Sequence, residues 1–205
     1  MVERTAVVMP MPRAEAEARV VLTGISWEQY ESIIESVGER PGLRLTYLDG
    51  TLEIMTTSPD HELDKKLIAR LVEVFAEERE IPLIGCGEAT WRKKAKKAGL
   101  EADECYFMGK LRSVPDLAIE VVKTSGNVDK LRVYRRLGIP EVWFWVEGRI
   151  HLFRLTEKGY EPAKRSRFLT DLDLNRLAEI VRSTKPVDQT AAVRAFRHSL
   201  SGRRR

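Results

Sequence analysis

Asp103-Glu104-Cys105-Tyr106-Phe107 and Pro115-Asp116-Leu117-Ala118-Ile119-Glu120-Val121-Val122 are the two short apolar segments whose pairing decides the fold. A hairpin that turns near Gly109 to Arg112 sets Asp103 opposite Glu120 by antiparallel pairing. Two carboxylates then meet on one face of the ribbon. Like charges facing each other in a sheet repel, and such a pair persists most readily where a cation, usually a metal ion, neutralises it. By spacing alone, the same acids also fit an ordinary solvated sheet face.

Elements on either side extend the pattern. Downstream, Leu131, Tyr134 and Leu137 recur at helical spacing, which predicts a helix over Asn127–Leu137 with Gly138 as its stop and Pro140 beyond. At that spacing Tyr134 reads as a core residue. Val142–Val146 and Arg149–Leu155 form a hairpin about Glu147-Gly148. Trp143 and Trp145 alternate with Val142, Phe144 and Val146, so both faces of the strand are apolar, as burial within a sheet or at a subunit interface requires. This excess of aromatics predicts a homodimer. A last amphipathic helix covers Asp171–Arg182, and Ser183 onward carries no assigned element.

Upstream, Pro82–Arg92 reads as a strand interrupted by Gly85 and Gly87. Before it, Ser58-Pro59-Asp60-His61-Glu62 opens the longest helix, with serine as cap, proline in the first turn and acids at the positive dipole end. Leu63, Leu67, Leu71 and Phe75 give that helix one apolar face as far as Glu78. Asp49-Gly50 joins Leu43–Leu48 to Thr51–Met55 as a type I′ hairpin. Ser26 opens a helix over 26–38 in capping-box style, and Pro10 and Pro12 mark residues 1–20 as an irregular arm. From residue 58 the order is helix, strand, strand, strand, helix, strand. That order predicts an α/β fold, an αβββαβ core with a mixed sheet, preceded by an N-terminal helix and β-hairpin. One domain over 21–182 would lie between the arm and a basic tail over 183–205.

The chain of 205 residues is long enough for one domain with a real core, at 43% hydrophobic and 32% charged residues. No run of 18 apolar residues exists, which excludes a membrane-spanning helix. The N-terminus has no secretory pattern, which predicts a cytoplasmic protein. Cys86 and Cys105, with the scattered His61, His151 and His198, give no zinc spacing. The net charge of +4 is uneven: seven Lys and Arg between Arg182 and Arg205 face only Asp188, so the rest of the chain is net negative. Such a tail can seek phosphate by counterion release, or simply be solvated. Arg92, Lys93, Lys94, Lys96 and Lys97 form a second basic cluster, which either holds a polyanion beside the carboxylates or is an exposed loop.

The strand and helix order is the core pattern of the PD-(D/E)XK nuclease superfamily. More narrowly, the phrase Leu100 to Phe107, the phrase Pro115 to Val121 and the run Tyr134 to Trp143 resemble the Uma family of restriction-endonuclease-like proteins, as does Leu52-Glu53-Ile54-Met55 with Ser58-Pro59 and His61. The resemblance spans about Trp27 to Ile180. It implies a metal-dependent endonuclease acting on DNA, with Asp103 and Glu120 holding Mg²⁺ or Mn²⁺. A lysine two residues after the second acid orients the attacking water in such nucleases, and here that position is Val122. Lys130 matches a lysine one turn into the following helix of many members, and its long stem could bring the ammonium back to the acids. Lys123 is the weaker candidate, since strand alternation points it away from the face of Val122. Asp116 shares the face of Glu120 and could be an outer metal ligand. His61 and Glu62 fall where the superfamily often adds a polar group to the metal site, and Glu53 is a more distant candidate. Ala102 stands where the family has proline.

Overall fold

The computed structural model describes residues 17–38, 40, 42–123 and 128–201; residues 1–16 of the arm, Asn127 and residues 202–205 lie outside them. Local signals act where the sequence places them. A first strand, β1 (Arg19–Thr23), starts inside the stretch expected to be irregular, because its partner β3 supplies hydrogen bonds that its own composition does not announce. Ser26 then caps α1 (Trp27–Val37) reciprocally: its hydroxyl accepts from Gln29 N–H at 3.2 Å, and its N–H donates to Gln29 Oε1 at 2.8 Å. Asp49 and Gly50, at φ of 49° and 87°, fold β2 (Leu43–Leu48) onto β3 (Thr51–Thr56). Ser58 caps α2 (Pro59–Glu78) by accepting from His61 N–H at 3.2 Å.

The stretch Pro82–Arg92 is two strands rather than one. β4 (Leu83–Gly85) and β5 (Ala89–Lys93) belong to different sheets, and the chain crosses between them at residues 86–88, where Gly87 takes a φ of 55°. Lys94 to Lys97 turn the chain into β6 (Ala98–Ala102), a strand that the sequence does not signal because only five residues separate the turn from the next crossing. That crossing is Asp103, which carries the chain back to β7 (Glu104–Met108). β8 (Leu117–Val122) pairs antiparallel with β7, Glu104 opposite Ile119, so one step further the register sets Asp103 opposite Glu120. α3 (Lys130–Leu137) is the crossover to β9 (Glu141–Val146), which runs parallel to β8. β10 (Arg149–Thr156) and β11 (Gly159–Ala163) complete a meander.

The strands form a five-stranded antiparallel sheet, β1-β3-β2-β6-β5, and a six-stranded mixed sheet, β11-β10-β9-β8-β7-β4. Each face of the mixed sheet has its own core. Leu117, Ile119 and Val121 of β8, with Trp143 and Trp145 of β9, pack under Leu67, Leu71 and Phe75 of α2. On the other face, Ala118 and Val142 meet Val133, Tyr134 and Leu137 of α3 together with Ala98, Leu100 and Ala102 from the second sheet. Trp143 and Trp145 are therefore buried within the subunit, whereas Phe144 and Phe153 of the same hairpin remain only partly buried. α4 (Leu174–Ser183) starts at Asp173, and α5 (Gln189–Ser201) occupies most of the stretch expected to be a tail. Phe196 and Leu200 of α5 join the α2 core at 4% and 7% exposure. Their helical spacing with Ala192 and Val193 was present in the sequence beneath the basic charge. Among the described residues no helix is long and apolar enough to cross a membrane.

Candidate active site

The seam where the two sheets exchange strands gathers ionisable side chains from six segments. Asp103 sits at the crossing itself, 1% exposed. Its Oδ2 accepts from Val121 N–H at 2.8 Å, and its Oδ1 accepts from Arg44 Nε of β2 at 3.2 Å. His61, on the first turn of α2, is fully buried, with Nε2 3.2 Å from Asp103 Oδ2 and Nδ1 3.3 Å from Glu62 Oε1. Neither ring contact is aligned as a hydrogen bond, so the attraction is ionic and needs the protonated ring. A histidine at a helix start is ordinarily solvated, and this one is not.

Glu120 projects from β8 on the face opposite the α2 core and is likewise fully buried. Lys130, first residue of α3, donates to Glu120 Oε2 at 2.6 Å, and the Tyr134 hydroxyl, one turn later on the same helix face, donates to Oε1. Asp129 fixes the start of that helix by accepting from Arg132 N–H at 3.2 Å. Lys130 thus reaches Glu120 from a different backbone site than Val122.

The remaining candidates separate from this centre. Lys123 turns to the α2 side and pairs with Asp64 at 2.6 Å. Asp116 ties the β7–β8 turn by accepting from Met108 N–H at 2.8 Å and from Arg112, so it is a structural residue at the far end of β8 and not a neighbour of Glu120. Glu53 is buried on β3, 3.6 Å from Arg19. Glu62 joins the centre through His61 and also binds Lys65 of α2. Arg92, Lys93, Lys94, Lys96 and Lys97 are exposed at the β5–β6 turn and do not border the carboxylates. Six residues along β6 separate Lys97 from Asp103, roughly 20 Å at strand rise. Lys93 donates to Leu137 O at 2.6 Å and Lys94 pairs with Glu28 at 3.0 Å. α3 therefore runs from the acids at Lys130 to the lysine turn at Leu137, about 10 Å, with Arg132 and Arg135 exposed along it.

Sequence reasoning missed Arg44, Lys65, Glu88 and Tyr134. Arg44 contacts Glu88 at 2.5 Å and Glu62 at 3.7 Å, and Lys65 pairs with Glu88, which closes a ring of alternating charge around Asp103. One signal was available: Arg44 is a lone charge in the apolar strand Leu43–Leu48, and such a charge is either at an edge or paired.

Burial and charge drive the two acids apart. Burial opposes ionisation of Asp103, but His61, Lys130 and the Val121 N–H outweigh it and hold the carboxyl well below the usual range. Burial and then the Asp103 charge push Glu120 up, against the pull of Lys130 and Tyr134. Burial also works against the charge on His61, yet the Asp103 and Glu62 carboxylates raise its pKa to about 9. Glu62, against its own burial, is drawn down to about 2 by His61 and Lys65. Two facing acids whose protonation is pushed apart are the arrangement in which one remains a fixed anion while the other can exchange a proton. Both present hard oxygen atoms. Among the described residues no group of three His, Cys, Asp or Glu side chains gathers as a metal site.

A mixed sheet with a parallel β8–β9 pair, a crossover helix on one face, and a buried acid on β8 opposite another at the β6–β7 crossing define a restriction-endonuclease-like α/β protein. The family model described as "Putative restriction endonuclease", Uma2, matches residues 27–184, and the chain belongs to that family. No curated protein matches the chain.

Proposed function

We propose that the chain is a DNA endonuclease that hydrolyses phosphodiester bonds with Mg²⁺ or Mn²⁺ held by Asp103 and Glu120. The observation that supports it is the convergence of two buried, facing carboxylates with the Lys130 ammonium. The donor set suits such an ion, since Mg²⁺ is commonly held by one or two carboxylates and fills its shell with waters and phosphate oxygens. When bound, the ion supplies positive charge to the scissile phosphate and lowers the pKa of an attacking water. Arg44, His61 and the Val121 N–H keep Asp103 anionic and fixed in place. Tyr134 fixes the rotamer of Glu120, and Lys130 stands where an ammonium orients the water, replacing the lysine absent at Val122. The outer face of α3 and the lysine turn then offer cations to the DNA backbone within about 10 Å of the acids. Cutting both strands of a duplex takes two such centres, which a homodimer would provide. The cytoplasm is the compartment that the sequence suggests.

A non-cleaving nucleic-acid binder on the same scaffold is the second reading. It is favoured by Val122 and by the engagement of both Glu120 oxygens by Lys130 and Tyr134. Plasmid DNA incubated with Mg²⁺ or with a chelator distinguishes them. The nuclease reading expects metal-dependent nicking that falls at least about 100-fold in Asp103→Asn and in Glu120→Gln, the scale at which a transition-state charge contact is lost. DNA binding without nicking by the wild type supports the second reading, and equal nicking by the variants refutes the site.

A further inference from the structure

The face of the mixed sheet that carries Glu120 continues across two more strands in register. Glu120 lies beside Phe144 of β9, and Phe144 lies opposite His151 of β10. On the same face Val122 neighbours Val146, and Val142 faces Phe153. Against Val122, Phe144, Val146, His151 and Phe153 opens a cavity of about 400 Å³, bordered also by Arg19 and Met55 of the other sheet and by Lys130. The Phe144 and Phe153 rings meet edge to face, with centroids 5.9 Å apart, and both remain only partly buried beside the hollow. Lys130 is shared: it borders the cavity, and its ammonium stands 2.6 Å from Glu120 Oε2.

An aromatic-walled hollow bordered by a lysine matches one nucleotide, with a flat ring against phenyl groups and a phosphate at the cation. Its volume admits a single heterocycle and excludes a duplex. We propose that this cavity takes one unstacked nucleobase of the DNA strand, adjoining the phosphate at Glu120 and Lys130. The inference rests on the nuclease reading and adds a substrate class to it: single-stranded DNA, or a nucleotide swung out of a duplex, rather than an intact helix read through its grooves. His151 at the exposed rim and the Arg19–Glu53 pair, 3.6 Å apart, place polar groups along the edges of the bound ring.

The probe is the 5′-monophosphate of 2-aminopurine deoxyriboside, whose fluorescence falls when the ring stacks. Titrated with the full chain, it is expected to be quenched, and Phe153→Leu, which keeps the apolar bulk and removes the ring, is expected to bind it at least about tenfold more weakly. Phe153→Tyr should restore binding to within about twofold of wild type, since the stacking face returns. No quenching by the wild type, or equal binding by Phe153→Leu, overturns the base pocket. Single-stranded and plasmid DNA are titrated alongside. DNA that is bound and cut while the probe is ignored overturns the pocket alone, whereas DNA neither bound nor cut overturns the nuclease reading and the pocket with it.

Discussion

Replacing Lys130 by Met keeps the stem's bulk and removes the ammonium that stands 2.6 Å from a fully buried Glu120. Breaking a buried ion pair by deleting one partner costs about 3–5 kcal/mol, because the remaining charge has lost its compensation. Glu120 has an escape, which is to take a proton. From an ordinary value of 4.5, protonation at pH 7 costs about 3.4 kcal/mol at about 1.4 kcal/mol per pH unit. Because the folded pKa of Glu120 already lies above 4.5, the penalty is at most about 3 kcal/mol at neutral pH, a fall in melting temperature of up to about 6–12 °C for a chain of this size. The sign with pH follows from the raised folded pKa of Glu120. A neutral carboxyl favoured by the fold contributes stability below pH 4.5, and that contribution drains away as pH rises through the folded value. The deficit of Lys130→Met relative to wild type should be small near pH 4.5 and grow toward pH 8. Urea titrations followed by tryptophan fluorescence across that range read it directly. A deficit under about 1 kcal/mol at pH 8, or one that does not change with pH, would refute the claim that Lys130 is what compensates Glu120.

Other positions give independent checks. Burial, with help from the Glu73 and Asp103 charges, pushes the Glu104 carboxyl up to about 7; Glu104→Gln should match wild type at pH 4 and exceed it by at most about 3 kcal/mol at pH 8 in thermal melts, and an unchanged or lower melting temperature at pH 8 would count against that burial. A β-carbon at Gly99 would come within 2.5 Å of Tyr30 Oη and 3.1 Å of Arg92 Cβ. Gly99→Ala should accordingly cost about 1–3 kcal/mol in urea titrations, with much of the loss recovered in combination with Tyr30→Phe, and a neutral single variant would contradict this packing. Lys96 and Lys97 are exposed at the β5–β6 turn; if both meet phosphates, Lys96→Gln with Lys97→Gln should lower the slope of log affinity for DNA against log salt by about 2 while leaving sequence preference alone, and an unchanged slope removes the turn from the interface.

The Asp103–Glu120 register was legible because a one-residue slip would turn Leu117, Ile119 and Val121 away from the α2 core, and that cost fixes which residues of the two strands face each other. Lys130 was legible only through resemblance to a family, since nothing local in Asp129-Lys130-Leu131 says that the ammonium folds back onto β8. Arg44 escaped notice because it lies 59 residues from Asp103 and reaches it from the other sheet. Lys65 and Glu88 close the same ring from α2 and from the crossing after β4, a proximity created by tertiary packing. The single strand expected over 82–92 failed for a related reason. A chain that leaves one sheet and enters another keeps its extended pattern through the crossing, and only Gly87 betrays the break. For His61 a helix start by itself signals solvent and only the resemblance put it beside the acids; the start of α2 is tucked against Asp103.

The most direct test of the proposed centre is a crystal of the full chain grown with Mn²⁺ and measured at the manganese absorption edge. An ion bridging the side chains of Asp103 and Glu120, absent from crystals of Asp103→Asn, is the predicted result. Manganese bound elsewhere on the molecule, with Lys130 still seated on Glu120 and no anomalous density between the two acids, would contradict it.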